Sequence, residues 1–199
     1  MDRKRLVLGY QKRRRVLKPG RKSGASGFSL IELLIGIVIL AIALALGMPS
    51  YRTWIQNTQI RNAAESIQNG MQRARAEAVT RNTNTAFVLG GGQFWTISQV
   101  SDGSVIEQRP AGEVSANVTL TASPIAIPPA LPPTTITFSS LGSVVANADG
   151  TASITQIDID SSLLTAAESR ELRLTVGVGG IIRMCDPNPG VATSDPRHC

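Results

Sequence analysis

The sequence predicts an α+β fold in which a long N-terminal helix packs on a mostly antiparallel β-sheet. Three observations carry that expectation. An uncharged apolar run, broken by a single acid, spans 28–48 and is followed over 51–81 by one apolar stripe at helical spacing. From Thr83 the apolar period shortens to two. Glycine, proline and Asp-Gly steps then punctuate the segments as turns would.

The first element is a basic leader over residues 1–27, with ten Lys/Arg against one Asp, and no lysine follows Lys22. The whole chain carries +6, but residues 28–199 hold ten arginines against thirteen acids, leaving −3. The high isoelectric point is therefore a property of the leader and does not mark a nucleic-acid binder. Lys/Arg density ahead of an apolar run keeps that end cytoplasmic and sends the C-terminal domain outward.

The run from Phe28 to Met48 is a candidate membrane-spanning helix: its 21 residues reach roughly 30 Å, the thickness of a bilayer core. Glu32 is its one ionisable residue. A carboxylate costs about 2.5–3.5 kcal/mol at mid-membrane and less near an interface, so this one needs a partner or a task. The bland alternative is a glutamate that snorkels to the interface. Pro49 follows, where a missing N–H and a crowded preceding turn predict a kink or local unwinding.

An amphipathic helix is expected over 49–82. Ile60, Ala64, Ile67, Met71, Ala74 and Ala78 recur at spacings of three and four, while Arg61/Glu65 and Glu77/Arg81 sit four apart as weak ion pairs. A β-rich domain over 83–184 comes next. Thr85–Leu89 and Gln93–Val100 flank Gly90-Gly91-Gly92 as a hairpin, and further strands are expected at Ser104–Arg109, Thr134–Ser139, Thr151–Ile159, Arg170–Val176 and Gly180–Met184. Five prolines between Ser123 and Pro133 exclude a central strand there and predict an exposed loop. The last segment, 185–199, is a Pro/Gly-rich tail bounded by the two cysteines, Cys185 and Cys199. In an oxidising compartment such a pair reads as a disulfide, worth about 3 kcal/mol by chain entropy; two unpaired thiols are the alternative.

Gly27-Phe28-Ser29-Leu30-Ile31-Glu32 followed by an apolar helix resembles the processing site of type IV pilins and type II secretion pseudopilins. Within that group the chain is similar to the GspH/FimT branch. The resemblance rests on Ala63-Ala64-Glu65, the run Gln72–Ala78, Thr137-Phe138-Ser139-Ser140-Leu141-Gly142, and Arg183-Met184-Cys185-Asp186-Pro187 with terminal Cys199. It implies a type IV pilin-like fold and a structural subunit of an inner-membrane-assembled filament, either a type IV pilus or a type II secretion pseudopilus. It further implies cleavage by prepilin peptidase between Gly27 and Phe28, N-methylation of Phe28, and Glu32 as the assembly residue. The partners it implies are other pilins or pseudopilins, the peptidase and an inner-membrane assembly platform. The subunit would sit as a single-pass inner-membrane protein with a periplasmic domain before entering the filament. A competing cut after Ala45, at Ala43-Leu44-Ala45, would release a soluble domain, but the long polar leader and an acid inside the apolar region disfavour it.

No enzyme site, cofactor or metal centre is expected. His198 lacks an obvious orienting group, and Gly90-Gly91-Gly92 lacks the lysine and hydroxyl of a phosphate loop. Asp158 and Asp160 share a strand face, and solvated edge-strand acids are the expected reading over a cation site. FimT-like minor pilins carry a Gly-Arg-x-Arg motif associated with DNA uptake. Here the matching positions are Gly180-Ile181-Ile182-Arg183, so Arg183 alone carries over, with Arg197 as a possible second phosphate contact. A pilus-associated DNA receptor for natural transformation is the alternative function. Two arginines on a domain of net charge −3 make a weak footprint, and solvation or pairing with Asp186 and Asp195 is the favoured reading.

Overall fold

The structure is a computed structural model that describes residues 27–90, 93–110, 115–123 and 134–199. The basic leader, two glycines of the expected hairpin turn and the proline-rich loop lie outside the described residues. The chain divides into two compact units, Met1–Ala43 and Leu44–Cys199.

One helix, α1, runs Leu30–Arg81, so the two expected helical spans belong to a single element. Pro49 sits inside it without ending it, and the expected local unwinding is not found. The proline withholds one N–H near a helix that is otherwise uninterrupted, and the Thr53 hydroxyl donates to the Pro49 carbonyl at 3.3 Å. Asn82 then leaves the helix at φ 50°, a left-handed exit that asparagine tolerates.

Among the described residues nine strands follow, in two antiparallel sheets rather than the one expected. Sheet A holds β1 (Thr85–Leu89), β2 (Trp95–Gln99), β3 (Val105–Arg109), β5 (Thr135–Phe138) and β6 (Val144–Val145), ordered β3-β2-β1-β5-β6. Sheet B holds β4 (Val118–Ser123), β7 (Gln156–Ser161), β8 (Leu172–Val176) and β9 (Ile182–Cys185), ordered β4-β7-β8-β9. The strands β4 and β6 were not expected. The strand expected at Thr151–Ile159 starts only at Gln156, for a visible reason. The buried Asn147 amide donates to the carbonyls of Thr151 and Ala152, and Ile154 N–H donates to Thr135 of sheet A. Residues 151–155 therefore cross from one sheet to the other before β7 begins.

The core forms where the helical stripe meets both sheets. Ile60, Ala63, Ala64, Ile67, Gly70, Met71, Ala74 and Ala78 are the buried residues of α1, and Phe87, Ile97, Ile136, Phe138, Ile157, Ile159 and Leu174 are fully enclosed with them. Small residues on the helix let the sheets approach closely. Gly70 marks the tightest point, since a Cβ there would lie 2.8 Å from Phe87 Cε2 and 2.9 Å from Trp95 Cε2. The Phe87 and Trp95 rings stack obliquely over it, 5.8 Å apart, and the Trp95 indole N–H donates to Ser66 Oγ at 3.2 Å.

The sheets are also tied to each other. Val144 N–H donates to the Val178 carbonyl at 2.9 Å, and Arg75 of α1 fastens the helix to the same place, its Nε donating to the Gly142 carbonyl at 2.9 Å. Gly180 has φ +75°, and a Cβ there would fall 2.0 Å from the Gly142 oxygen, so this crossing admits only glycine.

Candidate functional site

Two places gather the residues singled out in the sequence. The first is the start of α1. Ser29 Oγ accepts the Glu32 N–H at 3.2 Å, and Leu33 N–H donates to the Ser29 carbonyl at 3.2 Å. Ser29 is thus the N-cap and Glu32 the third helical residue, the Ser-x-x-Glu spacing that favours a helix start. An acid in this first turn also faces the positive end of the helix dipole. Gly27 has no neighbour within 4 Å of its Cβ position, and Phe28 is 83 % exposed. Gly27 and Phe28 are thus uncovered by the described residues, and the Glu32 carboxylate lies within about one turn of them. Every residue from Gly27 to Ser50 is exposed, and α1 is the one described helix long and apolar enough to cross a membrane, with mean hydropathy 2.8 over its best window.

The second place is the tail. Cys185, at the end of β9, is disulfide-bonded to Cys199. Asp186 N–H donates to the Arg197 carbonyl at 2.6 Å and Cys199 N–H to the Asp186 carbonyl at 3.3 Å, so the loop is zipped as well as cross-linked. Arg197 is committed to Asp195, Nη2 to Oδ2 at 2.7 Å. Hydrogen bonds from that guanidinium and from the Arg197 backbone hold the Asp195 carboxyl down at about 2. Its contribution to tail order is present above the ordinary value of 3.8 and is lost as pH falls through about 2. Arg183 is exposed on β9, the outermost strand of sheet B.

Sequence comparison with protein families matches residues 63–180 to the family described as type II transport protein GspH. The chain belongs to the GspH family. Residues 22–48 match the prokaryotic N-terminal methylation motif, which marks the chain for prepilin-type processing and fits a membrane anchor. A comparison with curated proteins gives no match. Among solved structures, the type IV minor pilin FimU of Pseudomonas aeruginosa is similar at 17 % identity, covering 66 % of this chain and 91 % of that one, with TM-score 0.47. The minor pseudopilin EpsH of the Vibrio cholerae type 2 secretion system is similar at 12 % identity, covering 69 % and 99 %, with TM-score 0.45.

This GspH-family subunit is a minor pilin or pseudopilin of a type IV pilus or type II secretion machine, a structural protein that assembles with other pilins. Its fold places the remaining candidates as follows. Asp158 and Asp160 are not edge-strand acids: β7 lies between β4 and β8. Asp158 takes both arms of Arg173, across the strand pair, at 2.5 and 3.1 Å, and Asp160 accepts the Ser169 hydroxyl. Arg61–Glu65 and Glu77–Arg81 pair as the spacing suggests, at 2.8 and 2.7 Å. Among the described residues no group of three or more His, Cys, Asp or Glu is arranged to hold a metal ion.

Sequence reasoning missed the polar row on α1. Asn57 Nδ2 donates to the Glu168 carbonyl at 3.0 Å while its Oδ1 accepts Arg170 N–H at 2.8 Å. Gln59 Oε1 accepts the Ser115 hydroxyl at 2.7 Å, and Arg75 reaches Gly142. These residues fasten loops of both sheets to the helix. For Asn57 and Gln59 the one signal in the sequence is a cluster of amides flanking the apolar stripe.

Proposed function

We propose that prepilin peptidase cuts this chain between Gly27 and Phe28, that Phe28 is N-methylated, and that Glu32 then directs assembly. The observation that carries the reading is Glu32 in the capped first turn of a helix whose apolar surface is exposed on all sides through Ser50. In lipid an unpaired carboxylate is costly, and a neighbouring subunit's cationic N-terminus would relieve that cost. Pairing sets the axial register between subunits, and the exposed apolar helices then associate laterally. Before assembly the subunit is a single-pass inner-membrane protein with residues 49–199 in the periplasm, served by the peptidase and an assembly platform.

Intact mass with N-terminal fragmentation tests the processing step. The expected product begins at methylated Phe28, and a start at Leu46 overturns it. Replacing Gly27 with a bulky residue leaves the precursor uncut. Glu32→Ala is cut normally but enters filaments roughly tenfold less well; normal incorporation removes the pairing mechanism.

A further inference from the structure

The exposed surface of α1 changes character immediately after the apolar run. Tyr51 and Trp54 lie three residues apart on one face, 60 % and 63 % exposed, with ring centroids 5.9 Å apart and stacked at 29°. Arg52, the first cation after the leader, lies between them in sequence and folds back to Met48, Nη2 to Sδ at 3.7 Å. The contrast with the other tryptophan is sharp. Trp95 is 7 % exposed and its indole N–H is bonded to Ser66, whereas among the described residues neither the Tyr51 hydroxyl nor the Trp54 indole nitrogen has a protein partner. In a protein with only two tryptophans and two tyrosines, half of them stand exposed within four residues of one another.

From these observations we infer that Tyr51, Trp54 and Arg52 form a lipid-headgroup anchor that sets how deeply α1 sits in the outer leaflet before assembly. The inference rests on the membrane reading above. Tyrosine and tryptophan partition to the headgroup level because each has an apolar body and a polar tip. An arginine whose stem lies back along the apolar turn can keep its guanidinium among phosphates. The position fits: counting from Phe28, roughly 30 Å of helix ends at Met48, and the aromatic pair begins three residues on. Ser50 and Thr53 add small hydroxyls at the same level, with Thr53 and Thr58 donating to the carbonyls of Pro49 and Trp54. The occupant is the zwitterionic or anionic headgroup layer of the bilayer, not a soluble ligand.

The test reconstitutes the full chain in phosphatidylcholine/phosphatidylglycerol vesicles carrying nitroxide labels either just below the headgroup or near the chain ends. The Trp54 signal is the difference between the wild type and Trp54→Phe, which removes the Trp95 background. The expected result is blue-shifted Trp54 emission, quenched roughly twofold more by the shallow label than by the deep one. Water-like, unquenched emission from protein that floats with the vesicles overturns the anchor while leaving the membrane reading intact. Stronger quenching by the deep label also overturns it. So does a blue shift insensitive to both labels that fades as protein is diluted in lipid, which assigns the pair to a protein contact. Failure of the chain to float sinks the anchor and the membrane reading together. A Tyr51→Ser/Trp54→Ser variant gives the converse check: a label placed at Leu44 is expected to shift its quenching depth, and an unchanged depth removes the positioning role.

Discussion

Two stretches of α1 have opposite surroundings, although one helical geometry serves both. From Leu30 to Ala43 every residue is exposed and ten of the fourteen are Leu, Ile or Val; from Ile60 to Ala78 eight residues are buried, and five of them are Ala or Gly. A helix apolar on every side needs an apolar solvent, whereas one apolar along a stripe needs a sheet. Residue size follows from the same distinction. Bulk maximises contact with lipid tails or with other helices, while small side chains let a sheet come close, as Phe87 and Trp95 do at Gly70. Leaving a Leu or Ile in water forgoes about 1.5–3 kcal/mol relative to burying it, so the first stretch is incompatible with life as a free monomer in water.

The strongest way to break this contrast is to remove one half. A chain starting at Pro49 is expected to lose membrane retention completely while its melting temperature matches, within about 2 °C, that of the intact protein's folded domain. A large loss of stability in a thermal melt would mean that the exposed stretch supports the domain. Next, Phe87→Ala is expected to cost about 3–5 kcal/mol in denaturant unfolding, against less than about 0.5 kcal/mol for Leu34→Ala measured in detergent. Gly70→Ala sharpens the point about size. Its added methyl meets two aromatic rings, and a net cost of about 1–2 kcal/mol is expected despite alanine's better helix propensity. A neutral or stabilising result there would show that the rings can yield.

The smallest effect concerns charge. Burial, reinforced by the neighbouring Asp158 and Asp160, raises the Glu171 carboxyl above its ordinary 4.5. A group raised in the folded state favours the fold below its unfolded value, and that contribution is lost as pH rises through the folded one. Glu171→Gln is therefore expected to gain about 0.5 kcal/mol at neutral pH and nothing below about pH 4. A pH-independent difference would point to packing instead.

The helix was legible because its signals are local. The Ile60–Ala78 spacing, both predicted ion pairs and the first-turn acid all read directly from neighbours three or four residues apart. Seven of the nine described strands, all but β4 and β6, were legible as segments, and β4, with Val118, Leu120 and Ala122 separated by threonines, carries the same alternation. Sheet membership was not legible. β1 pairs with β5 some fifty residues later while β4 joins β7, and nothing local distinguishes those choices. The misreading of Asp158 has the same origin, because its cross-strand partner Arg173 is set by register. The Cys185–Cys199 bond was readable from count and position. The Asn57 contacts were not, since an amide on a helix carries no mark of the loop it will meet.

That amide has a mechanical corollary. Because Asn57 gives a hydrogen bond to one strand-loop residue and takes one from another two positions on, it works as a key in a slot: sliding the helix lengthwise by even one residue, about 1.5 Å, would break both links at once. With Gln59 and Arg75 seated in other loops further along, tension applied to the rod is shared among several latches, and the β-rich head travels with it instead of slipping.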